Sequence, residues 1–414
     1  EIMENSGFDA VIGNPPYVFG RDWKALGISD NVKAYLTKSY SSSPYQKDLF
    51  SIFMDKASRL ACISGHIGMI VPNVWLGNMY SAPTRAFILN NATDLTIAVP
   101  MKPVFPELTV DTIVYNYQKA KKTGDKFSII SISETSSQLL AQLAVVDYLD
   151  GKSPISTSAG SGVAAILNRL QGCNTKLADL AKITRGIHPY RTGGYGQTAF
   201  GSGPQTGRDV KERPYHSLDQ KEGYRSFVYG RNLRRHSPVQ SHEFINYGPW
   251  IAEPRTPEFF EGSRIYSRKI LGTRLVVTLE RADSVADQQV YITKPITGNE
   301  DATYLCGILG SALMAFYIRH YFDEVNDAFP QIKVGQLKSL PIRTIDFGNP
   351  PDKVAHDQMV SLVNNMLDLN KKLSESKIPQ AIEVLKRQID STDKQIDHLV
   401  YNLYDLTDEE IKIV

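Results

Sequence analysis

Apolar and polar positions change rhythm several times along the chain. In the first 135 residues, short apolar runs alternate with stretches whose apolar residues recur at helical spacing. "FDAVIG" (8–13), "HIGMIVP" (66–72), "LTIAVP" (95–100), "VDTIVYNYQ" (110–118) and "FSIISI" (127–132) predict strands. "DLFSIFMDKASRLA" (48–61) and "SAPTRAFILNN" (81–91) predict helices. This alternation predicts an α/β sheet domain over residues 1–150. "DGKSPISTSAGSG" (150–162) is rich in Pro, Gly and Ser and reads as a linker. Residues 163–345 predict an α+β segment with short strands at "RLVVTLE" (274–280) and "QQVYITK" (288–294) and one helix, "YLCGILGSALMAFYIRHYF" (304–322). Residues 352–414 turn helical, with Val360, Val363 and Leu367, then Ile382, Leu385, Ile389, Ile396 and Leu399, at helical spacing. A break at 376–379 predicts an antiparallel helix pair.

Composition narrows the class. At 414 residues and 42% apolar content the chain is long enough for two or three cored domains. Cys62, Cys173 and Cys306 are odd in number and widely separated, which argues against a disulfide framework or a zinc site and suits the cytoplasm. No metal site is expected. No apolar run reaches membrane-spanning length, so a membrane is not an expected partner.

The net charge of +2 conceals a division. Residues 1–162 hold 14 basic and 14 acidic side chains, residues 163–345 hold 24 and 17, and residues 346–414 hold 8 and 13. The basic middle favours arginine, with thirteen between 185 and 281, interleaved with Tyr190, Tyr195, Tyr224, Tyr229, Tyr247 and Tyr266. Arginine forks match phosphates and guanine edges, so this segment is a candidate nucleic-acid surface.

The sharpest chemistry lies at Asn14-Pro15-Pro16-Tyr17, directly after the first strand. Neither proline can donate to a sheet ladder, so the tetrapeptide ends the strand. The Asn14 amide oxygen and the Pro15 carbonyl are two acceptors on a stiff backbone, and Tyr17 offers a flat face. This set suits a planar substrate bearing an exocyclic amine, the edge of a nucleobase. Acceptors around both N–H groups draw the amine lone pair out of conjugation and make it a better nucleophile.

From this tetrapeptide onward the chain resembles the gamma class of adenine-specific DNA methyltransferases with a TaqI-like target-recognition domain. "DLFSIFMDKASRLACISGHIGMIVPNVWL" is similar to the segment after the family's catalytic loop, and "FPELTVDTIVYNYQ" to the last strands of its sheet. "LADLAKITRGI", "YGRNLRRH", "YLCGILGSALMAFYIR" with "FPQIKVGQLKSLPI", and the final "LVYNLYDLTDEEIKIV" resemble successive parts of the recognition domain and the chain end. The resemblance implies methyl transfer from S-adenosyl-L-methionine to an adenine flipped out of double-stranded DNA, in a restriction-modification or related defence system. Asn14 and Pro15 would orient the amine, and Tyr17 would stack on the base. Phe53 would pack on the cofactor's adenine with Pro16 opposite, although a plain core aromatic is the competing reading of Phe53. Arg185, Arg231, Arg234, Arg235, Arg268, Lys269 and Arg274 would lie near DNA, and Tyr190 is a candidate for holding the flipped base.

The resemblance also implies a glycine-rich cofactor loop ahead of the catalytic tetrapeptide, and only thirteen residues precede Asn14. The expected fold is the C-terminal half of a Rossmann-like methyltransferase sheet, its first strand left with an open edge and the main cofactor loop upstream of residue 1. "GGYGQTAFGSGPQTG" (193–207) has no strand-to-helix context and reads as a mobile part of the recognition domain. His188, His216 and His236 read as loop histidines near phosphates. "PPDK" (350–353) and "ESK" (375–377) resemble a divided nuclease signature only superficially. Two other readings stay open: a DNA-specificity module without its own cofactor site, and the modification-specificity part of a bifunctional restriction enzyme. A restriction subunit or domain is a possible partner on either.

Overall fold

The computed structural model describes residues 7–23, 26–40, 48–105, 111–157, 161–296, 299–322 and 331–414. They divide into two compact units, Glu1–Leu167 with His320–Asp323, and Asn168–Arg319 with Glu324–Val414.

The first unit is an α/β sheet. Its strands are β1 (Phe8–Gly13), β2 (Ala61–Pro72), β3 (Ala92–Pro100), β4 (Thr112–Lys119), β5 (Lys126–Ile132) and β6 (Ser137–Ala144). They lie in the order β1-β2-β4-β3-β5-β6. The β1–β2 and β3–β5 pairs are parallel and the others antiparallel. In β4, Ile113, Tyr115 and Tyr117 alternate into the core, where the two tyrosine rings stack 6.1 Å apart. Helix α1 (Asp30–Ser39) buries nothing, whereas α2 (Leu49–Leu60) and α3 (Ala82–Asn91) cover the sheet with Phe50, Met54, Ala57, Ile88 and Leu89. The strands read from sequence all form, with residues 106–110 of the stretch leading into β4 lying outside the described residues. Strand β6 was not expected: "SQLLAQLA" lacks β-branched residues, and pairing with β5 overrides its propensity.

As the sequence implies, β1 is an edge strand. Its side chains are largely exposed, Ile12 at 83%, so an apolar run stands with one ladder unpaired among the described residues.

The expected linker is not a loose one in its first half. Gly151, Pro154, Ile155 and Ser156 are buried, and the Ile155 N–H donates to Leu76 O at 2.9 Å. The buried Arg85 donates to the carbonyls of Gly151, Trp75 and Asn78 at 2.7–2.8 Å. Gly151 has φ +68°, and a Cβ there would overlap the Ala82 backbone, so glycine is required. Residues 158–160 lie outside the described set.

The second unit holds two four-stranded sheets. In chain order the strands are β7 (Ala181–Arg185), β8 (His216–Ser217), β9 (Tyr224–Val228), β10 (Glu243–Asn246), β11 (Arg264–Arg268), β12 (Val277–Glu280), β13 (Ser284–Ala286) and β14 (Val290–Pro295). The sheets run β13-β9-β10-β8 and β12-β11-β14-β7. Ile187, Phe227, Ile245, Phe260, Tyr266, Val285 and Ile292 fill a shared core.

The single helix predicted at 304–322 is two, α4 (Asn299–Gly310) and α5 (Ala312–Tyr321), bent by 61°. At the break, Ser311 Oγ donates to Ile308 O and accepts from Met314 N, while Asp397 Oδ1 accepts from Ala312 N at 2.8 Å. The new helix is thus capped from outside the segment. Any side chain at Gly310 would come within 2.5 Å of His236 Nε2. Among the described residues no single helix is long and apolar enough to cross a membrane. Helices α6 (Pro350–Glu375) and α7 (Pro379–Leu403) form the expected pair, and they belong to the same compact unit as the two small sheets.

Candidate active site and nucleic-acid interface

The tetrapeptide Asn14–Tyr17 leaves the carboxyl end of β1, where ligands of open α/β sheets gather. Pro15 is buried and anchors the turn, while Asn14 and Pro16 are exposed. Among the described residues the Asn14 side chain has no hydrogen-bond partner. Tyr17 is braced: its hydroxyl donates to Ile70 O of β2 at 3.2 Å, and its ring meets Phe105 edge-on at 6.3 Å. Burial raises the Tyr17 phenol pKa, keeping it protonated.

The chain then returns to α2. Leu49 N donates to Val18 O at 2.9 Å, and the Asp48 carboxylate accepts from Gly20 N at 2.8 Å. These bonds tie the Asn-Pro-Pro-Tyr loop to the start of the helix that carries Phe53. Phe50 and Met54 face the core, but Phe53 is 44% exposed, so it is not a core aromatic. Phe53 and Pro16 thus present exposed apolar surfaces on two hydrogen-bonded segments. Among the described residues no glycine-rich loop joins a strand of this sheet to a helix.

In the second unit the residues expected near DNA separate into three groups. Arg231, Arg234, Arg268 and Lys269 are exposed or half-buried around the turn Gly230–Asn232 and the end of β11. Arg231 lies over the Tyr229 ring at 4.6 Å, Arg234 donates to Arg231 O at 2.8 Å, and Arg268 donates to Ile270 O at 3.0 Å. Burial, then the neighbouring Arg234 charge, lowers the Arg268 pKa. No carboxylate pairs with these four among the described residues.

Arg235 and Arg274 differ from that expectation. Arg235 grips Asp393 through two bonds of 2.6 and 2.5 Å, and Arg274 grips Asp397 at 3.0 and 2.8 Å. Both forks face α7. Arg185 pairs with Glu253 at 2.7 Å.

Tyr190 also departs from the expected role. It is 9% exposed, stacks on Tyr215 with ring centres 5.8 Å apart, and its hydroxyl bonds His216 Nδ1 at 2.9 Å and accepts from Tyr215 N. The histidines are corrected likewise. His216 and His236 face the protein interior rather than solvent: burial, with the Arg213 charge, lowers His216 to about 4, and burial lowers His236 to about 3. His188 lies beside Glu253 and the arginines that surround it. The divided "PPDK"/"ESK" pattern falls on α6 and the turn after it, and no group of three or more His, Cys, Asp or Glu among the described residues could hold a metal.

The segment read as mobile is pinned by two buried residues. Asp209 accepts from the Thr198 and Thr206 hydroxyls and from Ala199 N and Thr206 N, at 2.8–2.9 Å. Burial alone would raise its pKa, but those bonds outweigh it and hold the carboxyl at about 2. Gln205 donates to Pro189 O and Trp250 O and accepts from Arg191 N. The "TGRD" around Asp209 is a capping-box pattern, the one signal that could have revealed the anchor.

Residues 1–105 match the Eco57I restriction-modification methylase family, and residues 225–342 match the TaqI-like C-terminal specificity domain. A type II restriction enzyme and methyltransferase from Escherichia coli is 22% identical over 99% of the chain and 48% of its own length. The type II methyltransferase M.HincII from Haemophilus influenzae is 27% identical over 31% of the chain and 25% of its length. The structure of the type IIL restriction-modification enzyme MmeI in complex with DNA shares the fold, with a TM-score of 0.57 at 11% identity over 97% of the chain and 55% of that protein. The chain spans less than half the length of each of these two curated relatives. Its first part is thus similar to Eco57I restriction-modification methylases and its later part to TaqI-like specificity domains, and the chain is homologous to type II restriction-modification methyltransferases.

Proposed function

We propose that the protein acts as a site-specific DNA methyltransferase of a restriction-modification system, methylating the exocyclic amine of an adenine extruded from duplex DNA. The observation that carries this reading is the unpartnered, exposed Asn14 beside the anchored Pro15 and the braced Tyr17. Asn14 Oδ1 and the Pro15 carbonyl would accept the two amine hydrogens, turning the nitrogen lone pair toward its electrophile. Tyr17, its hydroxyl already held by Ile70, would stack on the base and offset part of the unstacking cost of a few kcal/mol. Phe53 and Pro16 would hold the adenine of S-adenosylmethionine, which supplies an electrophilic methyl when bound. Among the described residues no side chain in the corner is a strong base, so the protein's contribution is positioning and electrostatics. Duplex DNA as the partner implies a cytoplasmic location.

Transfer of labelled methyl to duplex DNA by the full-length gene product tests the reading. Asn14→Ala should slow transfer by at least about a hundredfold while duplex affinity holds. Equal loss of both would make Asn14 structural and defeat the assignment. The bifunctional reading is favoured by the Escherichia coli relative, described as both restriction enzyme and methyltransferase. Cleavage of unmethylated duplex in the same preparation would establish it.

A further inference from the structure

The surface cluster around Glu253 has a charge balance that a structural ion pair does not require. Its carboxylate, 16% exposed, accepts from Arg185 Nη2 at 2.7 Å and Arg191 Nη1 at 2.6 Å, with Arg255 Nη2 at 3.6 Å and His188 Nδ1 at 3.9 Å. Three guanidiniums around one carboxylate leave two positive charges in excess. Burial, reinforced by these arginines, lowers the His188 pKa against the pull of Glu253, so His188 adds no charge at neutral pH. The Arg185 and Arg191 side chains remain 50% and 45% exposed. Each guanidinium has five N–H donors, and Glu253 takes one from each of these two.

The cluster is also built in advance. Arg191 lies over the Tyr195 ring at 4.1 Å, and its backbone N–H donates to the buried Gln205 at 2.8 Å. Arg255 donates to the carbonyls of Arg185 and Pro254 at 3.0 and 2.9 Å. A fan of forks fixed in this way loses little side-chain freedom when it meets an anion, and planar forks match the oxygens of a phosphate. Its two leading residues lie ahead of the matched specificity region, which begins at residue 225.

We propose that Arg185, Arg191 and Arg255, gathered by Glu253, seat a backbone phosphate of duplex DNA, with Glu253 as the positioning residue. The proposal rests on duplex DNA being the substrate. It is tested by titrating duplex with the unaltered protein and with Arg185→Gln and Arg191→Gln over a range of salt concentrations. Each variant should flatten the dependence of log affinity on log salt, and the double variant, which removes both excess charges, should flatten it by about 0.9, equally for all DNA sequences. An unchanged slope with a lowered melting temperature would make the cluster purely structural and overturn this proposal alone. No salt-dependent binding by the unaltered protein would overturn the DNA reading along with it.

Discussion

Tyr190 and Tyr17 show what a residue list can and cannot say. Both are aromatics beside candidate chemistry, yet Tyr17 stands half-exposed at a strand end and Tyr190 is locked between Tyr215 and His216. The tetrapeptide was legible because prolines announce a strand end locally, whereas the burial of Tyr190 depends on partners 25 and 26 residues away. The buried imidazoles carry a testable consequence. His216 and His236 titrate near 4 and 3 when folded, against about 6.5 when unfolded. The folded-state values are depressed, so their contribution is complete above pH 6.5. As the pH falls toward 4 the unfolded chain takes up protons that the folded one refuses, removing up to about 1.4 kcal/mol per site per pH unit. The melting temperature should therefore decline between pH 7 and 5. His236→Asn, which tolerates the residue's positive φ of +48°, should make that decline shallower. A variant with the same pH dependence as the parent would show that His236 is not a source of the effect.

Elements were legible wherever their own periodicity decided them. Strands β1 to β5, the α6–α7 pair and its turn all follow from spacing and prolines. Strand β6 and the break between α4 and α5 do not, because each is decided by a distant partner: β5 for the strand, Asp397 and His236 for the break. Asp397 is the clearest case. One carboxylate pairs with Arg274 of the segment before β12 and caps α5 through Ala312 N, across 123 and 85 residues of chain respectively. Its side chain is 10% exposed and that of Arg274 is 26%. Asp397→Ala would leave a half-buried guanidinium short of a partner and a helix start uncapped, costing about 3 kcal/mol. Denaturant unfolding should show this as a lower midpoint. A shift below about 0.5 kcal/mol, the range of ordinary surface substitutions, would mean that neither contact persists in solution.

For the whole molecule, charge counted along the sequence overstates what is available to DNA. The basic segment and the acidic C-terminal helices partly neutralise one another on folding, through Arg235 with Asp393, Arg274 with Asp397 and Arg343 with Asp352. Composition could expose the division but not the pairing, since Arg235 and Asp393 stand 158 residues apart. Candidates for the phosphates of the proposed DNA partner are the group at Arg231, Arg234, Arg268 and Lys269, which has no carboxylate partner among the described residues, and the excess at Glu253. Counterion release separates these roles, because only a charge that meets a phosphate contributes to the salt slope. Arg231→Gln and Arg234→Gln should each flatten the slope of log affinity against log salt by about 0.9 and leave the melting temperature near that of the parent. Arg235→Gln should do the reverse, preserving the slope while lowering the melting temperature, because it removes the two short bonds to Asp393 and leaves that carboxylate only Arg274 at 3.4 Å. The opposite assignment, with Arg235 setting the slope and Arg231 the stability, would mean that α7 moves aside when DNA binds and that its ion pairs exchange for phosphates.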